Sequence, residues 1–380
     1  MNLPERRAEL YKQCVDILLT KWDASRGIRR IRAFQPEHKR RLLEEIAWHF
    51  HSQGKRYMPE NELLNVIADF LPIIGVSPEQ QLLILEEIVS ENGLLKEQAY
   101  HWYGFLHLTL QEYFVALYLA DQKPTESVLP YSGDPWWEEV ILLYAGHIPD
   151  ASSLLQMFLE VDASAQHDIF HADLLLAGRC LAVRPLIRKT KLRDTIIQCL
   201  FHHLKCTQYT LLKSSLADVL AEIGGYDVNT KLVHLLSDPQ PTFDLHMSIA
   251  NALGRLGERS AALELMRLLS DPQLSSLIRM SIANALGQLG ERSVVPELVR
   301  LLSDPQLDSN IRVSITDILK TLVDNTEIVK ELTLLLTISD IADDIYSLLW
   351  IASQRLRIKI SVVNMHNEPQ VEIIPTSDQT

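Results

Sequence analysis

The stretch 103–120, YGFLHLTLQEYFVALYLA, is mostly apolar yet places His107, Thr109, Gln111 and Glu112 close together. Thr109 and Glu112 have the T-x-x-E spacing of a capping box. The hydroxyl would accept the third helical amide, and the carboxylate would return a bond to the amide of Thr109. Such a cap stabilises a helix by about 1 kcal/mol, so the Gln111-Glu112 pair needs no catalytic reason. Leu110, Phe114 and Leu117 supply the apolar face at helical spacing. His107 comes two residues before that cap, at the positive end of the helix dipole. A ring donor beside free amides suits an anion such as a phosphate.

Other chemistry-bearing spacings are weaker. HDIFH at 167–171 puts His167 and His171 at i and i+4, but Asp168 is a short substitute for the glutamate base of H-E-x-x-H, and no third ligand is apparent. CLFHHLKC puts Cys199, His202, His203 and Cys206 on one helix face. Four tetrahedral ligands from one straight helix are awkward, so Cys199 and Cys206 are expected as packed thiols and no metal is expected. The only Gly-Lys pair is Gly54-Lys55; Arg56 follows it and His49 stands where a P-loop needs its first glycine. No G-x-S-x-G, nucleotide-binding G-x-G-x-x-G or paired-carboxylate site stands out. The expectation is a non-enzyme with no catalytic residue and no cofactor of its own.

The elements that carry these residues follow from composition and pattern. The chain has 380 residues, 47% of them hydrophobic, which implies two or more folded units. The charged start MNLPERRAELYKQ has no apolar core, no run reaches the ~18 apolar residues of a membrane span, and four scattered cysteines make no disulfide framework. A cytoplasmic protein that does not meet the membrane is expected. Net charge is -13, which disfavours broad nucleic-acid binding. One basic run, Arg26, Arg29, Arg30, Arg32, Lys39, Arg40 and Arg41 against Glu37, reads as a solvated linker and helix start; an anion- or partner-binding strip is the alternative, but no aromatics interleave it.

The clearest organisation is a repeat. MSIANALGRLGERSAALELMRLLSDPQ from Met247 returns as MSIANALGQLGERSVVPELVRLLSDPQ from Met280, a period of 33 residues. Ser215, Ser248, Ser281 and Ser314 share one position, and Leu220, Leu253, Leu286 and Leu319 another. Each unit reads as two short helices, the first closed by glycine (Gly257, Gly290) and the second by SDP. One pair cannot bury its stripe alone, so units must stack. His234, Arg267 and Arg300 share a position on successive second helices, as do Glu264 and Glu297. They form either a partner-binding column or ordinary solvated charge. Asp271/Arg279 and Asp304/Arg312 are expected to steady the turns. Ahead of the array, DPWWEEVILLYAGHI and HADLLLAGRCLAVRPLI read as helices, with Trp136, Trp137 and Trp350 as anchors between helices. The front reads as three helices, starting in PEHKRRLLEEIAWHFHSQGK, PENELLNVIADFL and SPEQQLLILEEIVSENG, then two strands in GLLKEQAYHWYGFLHL, which is winged-helix grammar.

The array resembles HEAT repeats, especially the short bacterial kind shared with phycobilisome-lyase-like proteins. GFLHLTLQEYFVALYLA resembles the F-x-H-x-[ST]-x-Q-E-[FY]-[FL]-x-A signature of NACHT-type signalling NTPases of the STAND class, and LPERRAELYKQCVDILLTKWD and DLLLAGRCLA are similar to the helices around the winged helix of bacterial (cyanobacterial-type) members. The fold implied is mainly α: a lead-in helix at 1–25, a winged-helix-like module at 26–123, a helical linker with degenerate repeats at 124–214, HEAT-like repeats at 215–355, and a short strand and disordered tail at 356–380. The family's winged-helix histidine contacts the β-phosphate of bound ADP, and His107 is the matching position. With the nucleotide-binding domain missing, the resemblance implies the non-catalytic regulatory or sensor half of such a system. The nucleotide would be held by another chain, a P-loop NTPase, and a protein ligand would bind the repeats. A bilin lyase-like or scaffold HEAT protein is the alternative, and a DNA-binding regulator a third.

Overall fold

The computed structural model describes residues 7–24, 34–164, 168–237, 243–255, 262–271, 273–290, 292–304, 307–322, 329, 332–333, 342–356, 358–365 and 368–375. The fold is mainly α, and it divides into two compact units, Met1–Leu200 and Phe201–Thr380. The division falls inside one helix, upstream of the expected start of the repeats at 215.

The first unit begins with α1 (Arg7–Ala24) and α2 (Pro36–His51). Strand β1 (Tyr57–Pro59) leads into α3 (Glu60–Phe70), whose first turn carries Glu60 and Glu62, a favourable match to the helix dipole. Helix α4 (Gln81–Glu87) runs into a π-turn (Ile88–Asn92), which Gly93 ends at φ 63°. Strands β2 (Leu95–Ala99) and β3 (Trp102–Phe105) then form the expected hairpin, and β1 joins on the other side of β3, giving the antiparallel order β1-β3-β2. This is the winged-helix arrangement. It packs around Leu42, Leu43, Ile46, Phe50, Met58, Leu63 and Ile67, all fully buried. Each such side chain contributes about 1.5–3 kcal/mol of hydrophobic stabilisation.

Helix α5 (Leu108–Gln122) follows, then α6 (Pro135–His147), α7 (Ser152–Ser164), α8 (Ala172–Ala182) and α9 (Thr190–Cys206). Asp134 caps α6 by accepting the amide of Trp136 at 2.9 Å. Trp136 and Trp137 are anchors, as expected. Trp136 Nε1 donates to the carbonyl of His51 at 3.0 Å, and buried Trp137 stacks on Tyr131 and meets Trp48 edge-on. The basic run is not a solvated strip where the structure describes it. Lys39 is fully buried against Glu87 at 2.6 Å, Arg40 pairs with Asp16, and Arg41 pairs with Asp121 at 2.7 Å. The amphipathic pitch of α2 turns these cations onto neighbouring helices. Arg26 to Arg32 lie outside the described residues.

In the second unit the first helices of successive repeats are α10 (Thr210–Ile223), α12 (Phe243–Arg255), α14 (Ser276–Leu289), α16 (Ser309–Leu322) and α17 (Ala342–Leu356). Their starts are spaced at the 33-residue period of the sequence, so α17 opens a further unit. The second helices are α11 (Tyr226–Ser237), α13 (Ala262–Leu269) and α15 (Val295–Leu302). Gly290 closes α14 in the left-handed conformation, as expected; Gly257 lies outside the described residues. Two other glycines set the helix spacing. A Cβ on Gly254 would stand 2.8 Å from Cα of Ala285, and one on Gly287 would stand 2.8 Å from Cγ1 of Ile318. At the turns, Arg279 Nε donates to the carbonyl of Leu269 at 2.7 Å, and Arg312 donates to those of Asp304 and Leu307 at 3.4 Å. The arginines thus steady the turns by binding backbone.

Three expectations need correction here. Trp350 is 60% exposed, because it sits on the outer stripe of α17, four residues from exposed Tyr346. Cys206 is exposed rather than packed, and Cys199 is half-buried. Residues beyond α17 form two strands, β4 (Ile358–Met365) and β5 (Glu368–Pro375), paired antiparallel, in place of one short strand and a disordered tail.

Candidate functional site

Strand β3 delivers the chain to His107. The amide of Leu106 donates to the carbonyl of Leu94 at 2.9 Å, which fixes the corner between β3 and α5. His107 is then the N-cap, in extended conformation, and the amide of Leu110 closes the first turn on its carbonyl at 3.0 Å. The capping box expected at Thr109 and Glu112 does not form, because the helix begins two residues earlier than that pattern requires. The imidazole of His107 is exposed, makes no capping bond and has no partner among the described residues. It stands at the N-terminus of a 15-residue helix, where amides and dipole favour an anion.

The rest of the stretch holds this helix in place. Leu110, Phe114 and Leu117 are buried, as their spacing implies. Gln111 is also fully buried: its Nε2 donates to the carbonyl of Lys55 at 3.0 Å and lies 3.4 Å from Nδ1 of His51. His51 stacks on Trp136 at 4.5 Å, and burial pushes its pKa down to about 4, so the ring is neutral. Gln111 therefore ties α5 to the turn after α2, and His51 ties α2 to α6. No local signal could have revealed this link, because its members lie far apart in sequence. Glu112 is buried, and burial, reinforced by the charge of Glu139, pushes its carboxyl up to about 7. Arg7 opposes that shift and pairs with Glu139 at 2.7 Å. Glu44 on α2 is likewise raised to about 7 by burial, against the pull of Arg41 at 3.4 Å.

The repeat-face residues belong to the second unit. Arg267 Nε donates to Glu264 at 2.9 Å, and Arg300 Nε to Glu297 at 2.8 Å. These are within-helix pairs, each arginine more than half exposed. Glu297 also accepts from Ser270 of the preceding unit at 3.4 Å, and Arg300 holds its carboxyl below the usual range. His234 is exposed at the equivalent position of α11. The column therefore presents oriented guanidinium groups whose charge is largely matched locally. In the first unit, a cavity of about 510 Å³ opens between α2 and α3, lined in part by Trp48, Val66, Phe70 and Ile73; His107 does not line it. His171 Nδ1 lies 3.2 Å from Asp162, while His167 is outside the described residues. Among the described residues, no helix is long and apolar enough to cross a membrane.

Residues 7–119 match the family described as a winged helix-turn-helix domain C-terminal to NACHT. Residues 231–320 match HEAT repeats. The two together are consistent with the C-terminal part of a NACHT protein. No curated protein matches the chain. Among solved structures, that of human deoxyhypusine hydroxylase in complex with glycerol is similar at 15% identity, covering 75% of this chain and 96% of that one, with a TM-score of 0.29. That score is too low to inform fold or function.

Proposed function

We propose that this chain is the non-catalytic regulatory portion of a NACHT-type signalling NTPase of bacterial type, acting in the cytoplasm. The winged-helix module would place His107 against the phosphates of a nucleotide held by another chain, a P-loop NACHT NTPase. The HEAT array would bind a protein ligand through its repeated faces, with His234, Arg267, Arg300, Glu264 and Glu297 as contacts. The observation that carries this reading is His107. It lies inside the segment matching the winged helix that follows NACHT, yet its side chain is exposed at a helix N-terminus and does no capping. A structural histidine would be packed or bonded; this one is presented.

Co-purification tests the assembly. The chain is expected to capture a P-loop NACHT module encoded beside it, and ATP turnover is expected from that module alone. Turnover by the isolated chain, or failure to bind any such module, would overturn the proposal.

A further inference from the structure

The three-stranded sheet of the first unit has one face in the core and one in solvent. Pairing sets Tyr57 opposite Gly104, Pro59 opposite Trp102 and Lys96 opposite Gly104. Side chains alternate along strands, so Tyr57, Pro59, Lys96, Trp102 and Gly104 share one face. Buried Met58, Leu95 and Phe105 belong to the other. Tyr57 and Trp102 remain 45% and 47% exposed, and Tyr100 at the hairpin turn is 84% exposed. The Tyr57 ring lies against Gly104, where a Cβ would stand 3.0 Å from its Cδ1. The Arg56 guanidinium is 5.4 Å from the centroid of that ring. Among the described residues neither Arg56 nor Lys96 makes an ion pair, whereas the nearby acids Glu60 and Glu97 are engaged by His101, the latter from the opposite face.

We propose that this face is a stacking surface for single-stranded nucleic acid, with Tyr57 and Trp102 receiving bases and Arg56 and Lys96 receiving phosphates. The inference goes beyond the regulatory reading and does not depend on it. Flat exposed rings accept the face of any unpaired base, and an adjacent cation neutralises its phosphate. The combination of aromatics and cations absent from the basic run at 26–41 is present here. A peptide adding as a strand would need a continuous free edge. β1 offers only three residues, and an irregularity between Glu97 and Ala99 interrupts β2. A duplex keeps its base faces stacked inside. The net charge of -13 limits affinity, but Glu97, the acid of β2, is on the opposite face.

The test uses the full chain and a fluorescein-labelled oligouridylate of about 12 nucleotides, read by anisotropy at about 50 mM and about 150 mM salt. A duplex of the same length and polyglutamate are the competitors. The single strand is expected to bind about tenfold tighter than either. Trp102→Ala and Tyr57→Ala should each weaken binding about five- to hundredfold, while Trp102→Phe retains most of it. Both side chains are half-exposed, so unchanged circular dichroism separates lost binding from lost fold. No binding at about 50 mM salt, wild-type binding by the double alanine variant, or equal or tighter binding of duplex or polyglutamate would overturn the proposal.

Discussion

Glu44 and Glu112 keep their protons to about pH 7 because ionising them puts charge into the interior of the first unit. The folded state therefore binds more protons than the unfolded chain between about pH 4.5 and 7, and stability falls as pH rises through that window. His51 acts in the opposite sense. Held neutral down to about pH 4, it adds stability as pH rises from about 4 to 6.5. Glu112→Gln keeps the shape and removes the ionisation. In urea unfolding it is expected to stabilise the protein at about pH 8 by about 1–2 kcal/mol, and to change little at about pH 5. Equal stability of variant and wild type at the higher pH would contradict the assignment. At this scale the sequence was partly legible. Leu110, Phe114 and Leu117 announced themselves by spacing and are buried. Thr109 and Glu112 satisfied a local capping pattern, yet tertiary structure decided otherwise: the β3–α5 corner starts the helix at Leu108 and turns Glu112 inward. Gln111 and His51 could be joined only by the fold.

Between elements, the repeats are held by close approach of their first helices. Gly254 faces backbone, since a Cβ there would meet Cα of Ala285 at 2.8 Å and its carbonyl oxygen at 3.0 Å. Gly287 faces Cγ1 of Ile318, a side-chain atom rather than backbone. Gly254→Ala is therefore expected to cost about 1–3 kcal/mol and Gly287→Ala less, as forced overpacking does when backbone must move. Thermal unfolding of the two variants checks the order, and a larger loss for Gly287→Ala would contradict the spacing described. The 33-residue period was legible because near-identical units repeat the same stripe and stop signals. The role of Gly254 was not, because its reason lies on a helix one unit away. α17 falls almost wholly within the HEAT-like span expected at 215–355, but its sequence has drifted, and the register of its start is what ties it to the array as a further unit.

For the whole molecule, a module matching the winged helix that follows NACHT shares a chain with a HEAT array. If the array binds a partner through its second helices, Arg267→Glu with Arg300→Glu should abolish capture. The within-helix pairs they break are exposed and worth only about 0.2–0.5 kcal/mol each. The melting temperature should therefore move by no more than a few degrees. Capture that survives the double reversal would move the binding face elsewhere on the array. The central claim rests on His107. The most direct measurement is release of a fluorescent ADP from the complex of this chain with its P-loop NACHT module, wild type against His107→Ala. Loss of a hydrogen bond to a charged phosphate should speed release by about ten- to hundredfold, with the complex still intact. Identical release rates from wild-type and variant complexes would contradict it.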